Sequence, residues 1–154
     1  MRAVVVEQPG GLEELKLTRV PGPVPGPGAV QIRIAYAGCN WSDIQKRQGV
    51  YPDPVDYPVI LGAEVSGIVS ATGREVRNRR VGDRVAAIVG PAFAGGFAEL
   101  CVTDSRYVMP LPSGISLKLG AAFPVVALTA YHLLHSACRL RKGETVLILS
   151  LIHI

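Results

Sequence analysis

The chain has 154 residues, enough for one domain or slightly more. Hydrophobic residues make up 49% of it and charged residues 18%, which excludes a disordered chain and allows a real core. A formal charge of +4 is too mild to require a nucleic-acid partner, and Cys39, Cys101 and Cys138 are too scattered for a disulfide framework or a zinc knuckle.

The opening MRAVVVEQPG lacks the apolar core of a signal peptide, so the expected location is cytoplasmic. The longest apolar run, Ala121 to Tyr131, contains Pro124 and is too short to span a bilayer. Residues 2–6 read as a strand, Gln8 to Gly11 as a turn and Leu15 to Val20 as a second strand. Pro21 to Gly28 is a stiff, turn-rich loop within one domain. Val30, Ile32, Ile34 and Tyr36 alternate with Gln31, Arg33 and Ala35, the clearest half-buried strand in the chain. Asn40 to Gln48 reads as a short helix, with Ser42 and Gln45 spaced as a capping box and Gly49 at its end. Tyr51 to Pro58 carries three prolines and is a loop.

The stretch from Tyr57 to Arg84 organises the chain. It holds the apolar runs Val59 to Leu61 and Val65 to Val69, and it leads into Val85 to Val89. Glu64 stands alone among apolar neighbours, bracketed by Gly62 and Gly67. Burying a lone charge costs on the order of several kcal/mol unless it is paired. Glu64 is therefore expected to have a partner and a role. Gly90 to Gly96 is a small-residue loop, and Phe97 to Thr103 and Tyr107 to Leu111 are further strands. Seventeen glycines and twelve prolines fit such a turn-rich, mostly β body. At Ser116 the character changes: a capped helical turn runs to Phe123, and Pro124 opens a helix reaching Ala137. Arg139 to Glu144 is a charged turn, and Thr145 to Leu149 is a strand of the fully buried type.

Several segments carry a resemblance in order: Met1 to Val5, Ala37 to Asp43, Gly62 to Val69, Val81 to Val85, Gly95 to Glu99 and Leu128 to Tyr131. Together they resemble the medium-chain dehydrogenase/reductase superfamily, most of all its zinc-free quinone oxidoreductase branch. The resemblance runs from residue 1 to about residue 149. It implies a GroES-like, partly open β-barrel domain at residues 1–118. After that it implies a helical crossover and the first strand of a truncated Rossmann domain at 119–149. Residues 150–154 lack the glycine-rich turn expected there and read as a non-native tail, or else as an ordinary continuation of the strand.

In the zinc enzymes of this superfamily, a Cys and a His occupy the positions that match Asn40 and Ala63. An amide and a methyl do not replace those ligands, so the resemblance implies no zinc. Without a Lewis acid, reduction of an activated double bond fits better than oxidation of an alcohol. The resemblance implies an NADPH-dependent enzyme that passes hydride to a quinone or enone, with the full-length protein a homodimer and this fragment alone inactive. Asn40 is expected to face the nicotinamide region, or else to be a plain helix cap. Thr129 is expected to contact the carboxamide, or else to bond within its helix. Tyr51 is the expected pocket aromatic, or a loop tyrosine packed on prolines. Glu64 is grouped with Tyr51 as catalytic, ordering the cleft by a hydrogen bond rather than reacting. Asp43 fits a family position but is read as an early-helix acid. Cys39 is read as a small core residue, and His132 and His135 as structural or surface residues.

Two other classes remain. One is a zinc-free enoyl-thioester reductase, which shares most of these motifs. The other is a non-enzymatic GroES-like binding module, including RNA binding, since some relatives bind RNA. Arg74, Arg77, Arg79, Arg80 and Arg84 form a basic cluster, but Glu75 and Asp83 intersperse it and no aromatic is interleaved. A solvated loop is the preferred reading.

Overall fold

A computed structural model describes residues 1–90 and 92–149. Among these residues eight strands form two antiparallel sheets. The smaller is ordered β2-β1-β4, with β1 at Arg2–Val6, β2 at Lys16–Arg19 and β4 at Val59–Ile60. The larger is ordered β7-β3-β5-β6-β8. Its strands are β3 Ala29–Gly38, β5 Glu64–Thr72, β6 Arg84–Ile88, β7 Leu100–Asp104 and β8 Val108–Pro110. A bridge between Ala3 and Ala98, with Val4 N–H donating to the Phe97 carbonyl at 2.8 Å, joins the sheets along one side. The result is a mostly β, two-sheet body that does not close into a barrel.

The core follows from the sequence pattern. Val30, Ile32, Val65, Val69, Val85 and Val108 are buried on the inner face of the larger sheet. Each such side chain contributes roughly 1.5–3 kcal/mol by leaving water. Alternation along β3 fails at its end: Tyr36 is 48% exposed, not inward. The register of β3 against β5 shifts between Ile34 and Tyr36, and an irregularity of this kind resets which side chains face the core.

Among the described residues three α-helices lie outside the sheets: α1 at Trp41–Gln48, α2 at Leu117–Ala121 and α3 at Pro124–Tyr131. Ser116 caps α2, its Oγ accepting the Leu119 N–H at 3.1 Å, and Pro124 opens α3 at its first position. The expected helix does reach Ala137, but residues His132–Ala137 are wound as a π-helix. The cap of α1 is Asn40 with Asp43, not Ser42 with Gln45. Asp43 wins because its carboxylate also has a second donor to satisfy, described below.

Two further expectations are corrected. Thr145 to Leu149 forms no strand; among the described residues it has no ladder partner, and Leu147 is 83% exposed. A strand exists only when a neighbour takes its N–H and C=O groups. Cys39 is exposed rather than a core residue, because it lies where β3 has ended and α1 has not begun. The tail at 150–154 lies outside the described residues.

Candidate active site

The site is built where β3, α1, β5 and α3 meet. Asp43, almost wholly buried, sits in the first turn of α1. Its Oδ2 accepts the Asn40 N–H at 2.8 Å and its Oδ1 accepts the Gly62 N–H at 2.9 Å. One carboxylate therefore fixes both the start of α1 and the turn that feeds β5. Gly62 has φ +98°, and a Cβ there would come within 2.7 Å of the Phe97 ring, so the turn admits only glycine.

Glu64, 2% exposed, is the first residue of β5. Its Oε1 accepts Asn40 Nδ2 at 2.9 Å. Its Oε2 accepts the Val125 N–H at 2.8 Å, in the first turn of α3. A helix N-terminus has unpaired N–H groups and a positive dipole end, so a carboxylate is favoured there by about 0.3–2 kcal/mol. Gly38 lies opposite Glu64 in the ladder, and a Cβ on it would lie 2.5 Å from Oε1. The missing side chain at 38 makes room for the carboxylate at 64.

A cleft of about 840 Å³ opens beside this link. Ala63 of the β5 turn, Leu128 and Thr129 of α3, Ser42 of α1, Tyr51 and Phe93 are among the residues lining it. Of the four residues singled out from the sequence, Tyr51 and Thr129 line the same cleft. Asn40 and Glu64 are joined to each other just behind Ala63, and they are not among the lining residues. His132 also lines the cleft, with Nδ1 3.0 Å from Ser136 Oγ, whereas the His135 ring packs against Tyr131 at 4.6 Å between centroids. Among the described residues no three His, Cys, Asp or Glu side chains gather in a way that would hold a metal ion.

Sequence reasoning missed Lys46. It is 3% exposed, and burial holds its ammonium below the usual lysine range, partly offset by Asp43 and Asp53. The signal was present: Asp43, Lys46 and Arg47 recur at helical spacing on one face of α1, and all three are buried while Trp41 is 67% exposed. Charged residues on the inner face of a short helix need partners inside the protein. Arg47 Nη1 donates to the Gly10 carbonyl at 2.5 Å. In the basic cluster, Arg84 Nη2 donates to Ile115 O at 2.5 Å and Arg79 Nε to Val108 O at 3.0 Å, so both are spent on backbone carbonyls. Burial pushes the Cys101 thiol up to about 12. The Cys39 thiol is also raised, first by partial burial and then by the negative charge of Asp43.

Residues 26–113 match the model of the alcohol dehydrogenase GroES-like domain. A quinone oxidoreductase of Pseudomonas aeruginosa is 40% identical over 138 residues, 90% of this chain and 42% of that protein. The crystal structure of human synaptic vesicle membrane protein VAT-1 homolog-like protein superposes with a TM-score of 0.88 at 39% identity, over 93% of this chain and 45% of that one. Escherichia coli quinone oxidoreductase complexed with NADPH superposes with a TM-score of 0.82 at 29% identity, over 89% and 41%. The chain thus spans less than half the length of each of these relatives. No helix among the described residues is long and apolar enough to cross a membrane. On its fold, its cleft and these similarities, the chain belongs to the alcohol dehydrogenase GroES-like domain family, within the medium-chain dehydrogenase/reductase superfamily.

Proposed function

We propose that this chain is the acceptor-binding part of an NADPH-dependent, zinc-independent reductase of quinones or conjugated carbonyl compounds. The observation that carries the reading is a single cleft in which Tyr51 and Thr129 face common space beside Ala63. Its place in a chain 40% identical to a quinone oxidoreductase supports the acceptor class. We propose further that residues 119–149 begin the nucleotide-binding domain. The outward apolar side chains of Leu147, Ile148 and Leu149 are of the kind a buried parallel sheet covers.

The lining fits a flat ring that bears an amide. Ala63, Val125 and Leu128 offer apolar surface, and Ser42 and Thr129 offer hydroxyls that both donate and accept. The methyl at 63 and the amide at 40 are poor zinc donors, which supports chemistry without that metal. NADPH, when bound, supplies a hydride, and an electron-poor acceptor needs no Lewis acid to take it.

The chain's own residues position and polarise. Thr129 hydrogen-bonds the carboxamide and so orients the nicotinamide. The Tyr51 hydroxyl donates to the acceptor oxygen, where negative charge grows as the double bond is reduced. Glu64 acts behind the wall, holding Asn40 and the start of α3 at fixed separation; it is a positioning residue and not a proton donor. The apolar lining keeps water away from the acceptor ring.

The test uses the full-length gene product. NADPH oxidation is followed with a quinone, an enoyl thioester and an unconjugated aldehyde as alternative acceptors. Fast turnover with the quinone alone supports the reading. Turnover confined to the enoyl thioester assigns the chain to enoyl reduction, and no NADPH-dependent turnover with any acceptor favours a binding module.

A further inference from the structure

Lys46 is not explained by the chemistry above. Its Nζ donates to the carbonyls of Ala92 at 2.6 Å and Phe93 at 2.9 Å, and it lies 4.9 Å from the centroid of the Tyr51 ring. An ammonium has three N–H bonds and no acceptor, so two of them are committed to this loop. The ring is within the range of a cation–π contact. The Tyr57 hydroxyl donates to the Lys46 carbonyl and ties the 51–58 loop to the same turn of α1.

A second cavity, of about 260 Å³, lies beside the main cleft and is lined in part by Lys46, Asp53 and Asp56. Tyr51 and Phe93 line both cavities, so these two side chains form the partition between them. Phe93 has φ +50°, a left-handed conformation that a bulky residue holds only when its surroundings impose it. Lys46 is the group that touches both halves of the partition, gripping one through its carbonyl and the other through its ring face.

We propose that Lys46 is a specificity-determining positioning residue: its ammonium holds Tyr51 and Phe93 as a wall that confines the acceptor to the larger cavity. This rests on the reading of the cleft as an acceptor site. Removing the ammonium joins the two cavities and lets in acceptors whose rings extend past the wall.

The experiment measures equilibrium binding of duroquinone, a compact ring, and 9,10-phenanthrenequinone, an extended one, to the full-length protein by calorimetry. Lys46→Met is expected to shift the ratio of the two dissociation constants about tenfold toward the extended quinone, while Lys46→Arg keeps the ratio within about twofold. Tyr51→Leu opens the same wall without touching the lysine and carries the same ratio test if Lys46→Met does not fold. An equal loss of affinity for both quinones, or an unchanged ratio, overturns the proposal. Chymotryptic cleavage after Phe93 in the native chain gives a readout without ligand, expected to be about tenfold faster in Lys46→Met than in wild type or Lys46→Arg. A wild-type chain that binds neither quinone sinks the acceptor reading. The cleavage rate then judges the hold on the wall alone, and an unchanged rate overturns that as well.

Discussion

At the scale of single residues, Glu64 is bound on both oxygens and sheltered by a glycine, and each link has a separable cost. Glu64→Ala leaves the Asn40 amide and the Val125 N–H without their partner. It should lower stability by about 2–4 kcal/mol in urea titration, the range for stranding buried polar groups. Gly38→Ala, which forces a methyl against the carboxylate, should cost about 1–3 kcal/mol. The two losses should fall short of additivity by about 0.5 kcal/mol or more, because removing the carboxylate also removes the clash. Strict additivity would mean that Gly38 is there for another reason. Cys101, with its thiol pushed up to about 12 by burial, should stay unmodified by a thiolate-directed reagent at neutral pH in the native chain, while the exposed Cys138 reacts and Cys39, exposed but with a raised thiol, reacts more slowly than Cys138. Mass spectrometry of the labelled protein reads this directly. That Glu64 would have a partner was legible from its apolar frame, but the identity of the second donor was not. Val125 lies 61 residues away, and only the closed fold brings a helix start to that oxygen.

At the scale of elements, strands were readable wherever one face is buried and the pattern is undisturbed, as in β1, β5 and β6. They were misread where a long-range feature intervened. Tyr36 continues a perfect alternation yet is exposed, because the slip in the β3–β5 register depends on the partner strand. Thr145 to Leu149 has the composition of a strand, but a strand needs a neighbour as well as a composition. The sheets are pinned at one corner by Arg2 and Glu99. The Arg2 N–H donates to Glu99 Oε2 at 2.8 Å and Arg2 Nε to Oε1 at 2.7 Å. The backbone N–H first, and then the guanidinium, hold the Glu99 carboxyl below the usual range. A depressed carboxylate stabilises the fold above its unfolded pKa, and that contribution is lost as pH falls through its folded pKa. The stability gap between wild type and Glu99→Gln should therefore be constant above about pH 5 and narrow as the solution is acidified. A gap that stays constant down to the acid transition would show that the ion pair does not act at this corner.

At the scale of the whole molecule, the cleft beside Ala63 and the basic loop make different demands. Arg79 of that loop and Arg84 at the start of β6 are occupied with backbone carbonyls, so these two are expected to build the fold rather than meet phosphate. A gel-shift titration with single-stranded RNA should show no retarded complex at about 0.1 M salt. A tight complex weakening steeply with salt would restore the nucleic-acid reading. The cleft is the centre of the account, and its central claim is that the amide of Asn40 and the methyl of Ala63 leave hydride transfer to run without zinc. The most direct measurement is the rate of NADPH oxidation with a quinone by the full-length protein, before and after exhaustive chelation, with metal content determined in parallel. The account predicts an unchanged rate and no stoichiometric zinc. A rate abolished by the chelator and restored by added zinc would contradict it.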